Sequence, residues 1–148
     1  MNNPISSFLR STFLVHMIIG GLLGVFLFLI PGRTLTWIGW APVSFQIPNT
    51  ELIAPGTVMV DSLLTRLLGA GLLALAFSSF LGWRASTWSQ VALIVQVELV
   101  YCILGSLAII GYRWLLRRPV PDIGYILLVI LLAFVAAWAW AYRQGTRA

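Results

Sequence analysis

Three side chains capable of chemistry fall inside otherwise apolar stretches: His16, Arg66 and Glu98. Gln96 stands two residues before the glutamate in "SQVALIVQVELVYCILGSLAII", residues 89–110. A carboxyl can act as a general acid or base, an imidazole as a base or axial ligand, and a guanidinium as an anion partner. Each of these chemistries needs company. Two-carboxylate hydrolysis needs a second acid nearby, and the remaining acids, Glu51, Asp61 and Asp122, lie outside the apolar stretches. A Ser/His/Asp set is expected to be kept apart by topology. One His16 and one Cys102 cannot make a zinc site. No C-x-x-C, C-x-x-C-H or phosphate-binding glycine pattern appears. The expectation is therefore no enzymatic activity, no metal and no resident cofactor. His16 alone is retained as a candidate single axial ligand to a haem or chlorophyll-type pigment.

The elements that must position these residues are membrane-spanning. Of 148 residues, 60% are hydrophobic and 9% charged, with a mean hydropathy of +0.97. Soluble domains are about half apolar and about a quarter charged, and no fold of this length buries so much apolar surface from water. A spanning helix needs about 20 apolar residues. Four stretches qualify, at about residues 12–30, 62–81, 88–111 and 123–142. They predict an all-α membrane protein, a four-helix transmembrane bundle forming a single integral membrane domain over residues 1–148. The first stretch lacks a small-residue cleavage site after its apolar run and is expected to be retained rather than removed as a signal peptide. Asp61 is placed to cap the second helix.

A long loop, residues 31–60, separates helices 1 and 2. It holds four of the seven prolines, Pro31, Pro42, Pro48 and Pro55, with Trp37, Trp40 and Phe45. Proline blocks a regular helix, while the aromatic content is too apolar for a free linker. A lid lying on the bundle is expected, with a protein-docking surface as the alternative.

All nine cationic residues are arginines. They cluster at the ends of the spans, as membrane topology requires, and not on a face that could hold nucleic acid. Four of them (Arg10, Arg84, Arg143, Arg147) fall on the side of the termini and four (Arg33, Arg113, Arg117, Arg118) on the other. The positive-inside count is thus balanced. The acids and the long loop share the second side, which points to termini in the cytoplasm and a multi-pass protein of the cell inner membrane. Trp83, Trp88, Tyr112, Trp114, Tyr125, Trp140 and Tyr142 flank the spans at headgroup level.

In lipid, small residues spaced by four mark helix contact faces. Gly20 and Gly24 supply such a face in the first span, Ala70, Ala74 and Ser78 in the second, Cys102 and Ser106 in the third, and Ala133, Ala137 and Ala141 in the fourth. Counting about 1.5 Å per residue puts Glu98 near the midplane, His16 about 5 Å from it in depth and Arg66 about 11 Å on the other side. Glu98 is expected to answer His16 or Arg66, either as a neutral acid that fixes packing or in proton, quinone or cofactor chemistry. Arg66 is otherwise expected to reach the interface, and His16 to bond a backbone carbonyl.

"LLTRLLGAGLLALAFSSFLGWR", with the acid in the third span, resembles small bacterial proteins of four membrane spans across residues 31–110. The resemblance carries no activity and no functional residues; it implies that Arg66 and Glu98 belong together. The expected function is a non-catalytic accessory subunit of a larger bacterial membrane complex, of electron transport or photosynthesis. Its partners are the lipid bilayer and other membrane subunits. The alternatives are a small oligomeric proton or cation channel or transporter using Glu98, and a pigment- or haem-binding protein using His16.

Overall fold

A computed structural model of the chain describes residues 4–39, 44–46, 53–55, 62–117 and 120–147. Helix α1 spans Ser7–Leu29, a short α2 spans Pro31–Trp37, and α3, α4 and α5 span Ser62–Arg84, Trp88–Ile110 and Asp122–Arg147. A π-helical turn, Gly111–Leu115, prolongs α4. Within the loop, strand β1 (Ser44–Gln46) pairs antiparallel with β2 (Ile53–Pro55). Asp61, Trp40, Pro42, Pro48, Glu51 and Arg118 lie outside the described residues. Four helices, α1, α3, α4 (with its π turn) and α5, are long and apolar enough to cross a membrane. The all-α, four-helix architecture is the one the hydropathy pattern requires.

The helix ends follow from local chemistry. The Ser6 hydroxyl accepts from the Leu9 N–H at 3.2 Å and caps α1. Pro31 occupies the first turn of α2, where no N–H is needed. The tight α3–α4 turn is closed by Gln90, whose Oε1 accepts from Ser86 N at 3.0 Å and Thr87 N at 3.3 Å. The Ile5 N–H donates to Ser86 O at 3.2 Å, and Arg10 Nη2 to Ala85 O at 3.3 Å. Trp88 packs on Tyr142 and Gly145 of α5. The N-terminus, the α3–α4 turn and the end of α5 therefore share one end of the bundle.

Packing runs chiefly within two pairs, α1 with α3 and α4 with α5. In the first pair the Gly20/Gly24 face of α1 meets α3 closely. A Cβ on Gly69 would lie 2.6 Å from Phe28 N and 2.9 Å from Gly24 O. The expected α3 face is corrected in part: Ala70 and Ser78 are half-buried and Ser78 reaches Glu98 of α4, but Ala74 is exposed, and the buried residues are Thr65, Gly69, Ala76, Ser79 and Gly82. A spacing of four fits several faces of one helix, and the face turned inward is the one on which Gly69 meets the backbone of Gly24 and Phe28. On α4, Cys102 and Ser106 are both buried as expected; on α5, Ala141 is buried and Ala133 exposed. The core joins Leu9 and Phe13 of α1 to Val91, Val95 and Cys102 of α4 and Phe134 and Trp138 of α5.

Candidate functional site: a buried His–Ser–Glu centre

Three helices bring one polar side chain each, or two, to a point where the pairs meet. Glu98 of α4 and Ser79 of α3 have no solvent exposure, and His16 of α1 has 7%. Ser78 Oγ and Ser79 Oγ donate to Glu98 Oε1 at 2.9 and 3.0 Å. His16 Nδ1 lies 2.9 Å from Ser79 Oγ, and His16 Nε2 lies 3.5 Å from Glu98 Oε2. The imidazole is held edge-on to Phe134, with centroids 4.8 Å apart, and to Trp138 at 5.9 Å. Phe13 packs on Trp138 at 5.0 Å from the other side. Gly82 makes room for Phe13, because a Cβ there would fall 2.6 Å from its ring.

A count of donors assigns the protons. A serine hydroxyl has one hydrogen, and Ser79 directs it to Glu98. Ser79 must then accept from His16, which places a proton on Nδ1. Nε2 faces Oε2, and Oε2 has no hydrogen-bond partner among the described residues. Two lone pairs do not face each other in a low-dielectric interior at tolerable energy. One further proton, carried by Nε2 or by Oε2, satisfies both atoms. The arrangement is thus a closed circuit, His16 to Ser79 to Glu98 and back, built around a single shared proton.

Several expectations are revised here. No Asp joins His16 among the described residues, but a Ser/His/Glu cluster is assembled, because antiparallel α1 and α3 bring Ser79 to the depth of His16. It does not present a nucleophile: Ser79 is fully buried and its hydrogen points to Glu98. The Glu98–Arg66 pair implied by the resemblance is not formed. Arg66 Nη1 donates to Phe28 O, and lies 3.5 Å from Leu29 O. Those carbonyls are orphans of the last turn of α1 and are the nearer acceptors. His16 bonds side chains, not a backbone carbonyl. Gln96 is exposed, on the side of α4 away from the cluster. Ser79 and Trp138 were not singled out by sequence. The available signal for the serine was a hydroxyl pair, "SS", in an apolar span.

An apolar cleft of about 320 Å³ runs between the pairs to His16; Leu23, Leu72, Tyr101, Gly105 and Phe134 are among its walls. Among the described residues no group of three His, Cys, Asp or Glu could hold a metal. Both nitrogens of His16 face protein partners, so axial ligation of a pigment would break one of those contacts. Searches against protein families, curated proteins and solved structures find no match to the chain, and the site is read on its own geometry.

Proposed function

We propose that the chain is a non-catalytic accessory subunit of a larger membrane assembly. It lies in the bacterial inner membrane with both termini on the cytoplasmic side. The observation that carries this reading is the burial of the Ser79–Glu98 end of the polar cluster between the helix pairs. Ser79 and Glu98 have no exposed surface, so the cluster acts as a polar lock between helices rather than as a reaction centre. The working surfaces are then the outer faces of the helices. The proposed assembly is an electron-transport or photosynthetic complex. A chain with little mass outside its spans suits a position among other membrane subunits.

The channel reading draws less support from the same geometry. A ring of Glu98 carboxyls between copies needs Glu98 on an outer face, and it is turned inward. Solubilising native membranes in mild detergent and separating them on a native gel tests the proposal. Co-migration with other membrane proteins is expected. Migration only as a small particle containing this chain alone would refute the accessory role.

A further inference from the structure

The outer face of α4 carries a polar group that lipid cannot satisfy. Gln96 is exposed. It lies eight residues into the helix that starts at Trp88, or about 12 Å along it, well inside a hydrocarbon layer about 30 Å thick. A glutamine side chain is too short to reach the headgroups from that depth. No hydrogen bond to Gln96 is formed within the described residues, and an amide left bare in hydrocarbon is costly.

The residues around it form a seam. Leu93, Gln96, Val100, Ile103 and Leu107 follow a 3-4-3-4 spacing. Their apolar members are 71%, 54%, 39% and 56% exposed in chain order. At about 100° per residue this stripe lies opposite Glu98, so it faces away from the bundle's own core. A 3-4 repeat is the pattern by which two helices pack along a shared left-handed seam. Polar residues within such a seam fix its register and bond across it.

We propose that α4 pairs with α4 of a second copy of this chain, Gln96 against Gln96. Membrane insertion gives both copies the same orientation, so a two-fold axis along the membrane normal brings equal depths together. The carboxamide is complementary to itself: each offers N–H donors and a carbonyl acceptor. A second copy therefore supplies by symmetry the one polar group, at the one depth, that Gln96 needs. An unrelated helix would have to carry its own polar residue there.

Cysteine cross-linking of the full chain in native membranes, in a Cys102→Ala background, tests this pairing. Leu93→Cys and Val100→Cys are expected to give a disulfide-linked band at twice the chain mass under oxidation. Val129→Cys, which is 67% exposed but on α5, is expected to give none. In proteoliposomes, energy transfer between labelled copies should fall several-fold in Gln96→Leu and be largely kept in Gln96→Asn. Equal linkage at all three cysteines, or no dimer band from Leu93→Cys and Val100→Cys, overturns the pairing. Adducts of those two positions only with another protein also overturn it, while leaving the accessory-subunit reading intact.

Discussion

The shared proton between His16 and Glu98 makes the two residues interdependent. Glu98→Leu removes the acceptor of Ser79 and the partner of Nε2, while Ser78 keeps Leu75 O at 2.8 Å. An unsatisfied buried polar group costs about 1–3 kcal/mol, so a loss of about 2 kcal/mol is expected in denaturant titrations of the protein in micelles. Glu98→Gln keeps an acceptor for Ser79 and should lose less. A double-mutant cycle of His16→Phe with Glu98→Leu should show a coupling on the order of 1 kcal/mol, as for polar contacts between membrane helices. Strict additivity would contradict the closed circuit. The sequence made much of this pair legible: depth counting from helix rise put His16 and Glu98 within reach, and their atoms lie 3.5 Å apart. Ser79 was not legible in the same way. A hydroxyl in a helix commonly bonds its own i−4 carbonyl, as Ser106 does with Cys102 O at 2.8 Å, so type alone does not reveal one that reaches across. Arg66 is exposed at the end of its span, where an arginine reaching the interface belongs; only its pairing with Glu98 fails, because depth says nothing about the nearer orphan carbonyls of another helix end.

At the scale of elements, the α1–α3 contact depends on two backbones approaching where no side chain intervenes. Gly69 and Gly71 stand on the same helix and make a controlled comparison. Gly69→Ala drives a methyl into the backbone of Phe28 and Gly24 and should destabilise the fold by about 1–3 kcal/mol. At Gly71 nothing lies within 4 Å of an added Cβ, so Gly71→Ala should be neutral or stabilising by up to about 1 kcal/mol. Arg66→Met should cost about 1 kcal/mol by releasing the carbonyls of Phe28 and Leu29, detectable as loss of amide protection at the end of α1. Helix existence followed from hydropathy and length, and Gly20 and Gly24 marked the contact face of α1, but not that α3 is what meets it. The face of α3 followed only in part. Ser78 does meet α4, but Ala74 is exposed although it satisfied the small-residue rule as well as Gly69 does, and only three-dimensional fit separates them.

For the whole molecule, the outward surface of each helix has to be read as carefully as the interior. The buried lock accounts for His16, Ser79 and Glu98, whereas Gln96 on α4 makes no hydrogen bond among the described residues; the proposed pairing would give it one. The helix that carries Gln96 also runs beyond its span: α3 and α4 each have 23 residues, about 34 Å at about 1.5 Å per residue, and the π turn adds five more to α4. Tyr112 and Trp114, 44% and 61% exposed, mark where the longer one meets the headgroups. Arg113 Nε donates there to Tyr125 OH at 3.0 Å, tying the overhang to α5. The apolar spans of α3 and α4 therefore match, and α4 adds an aromatic and basic overhang at headgroup level. Two such flanks side by side would pool four exposed rings in one patch of that layer, where Tyr and Trp are favoured, so headgroup composition becomes a variable that sets how tightly copies associate.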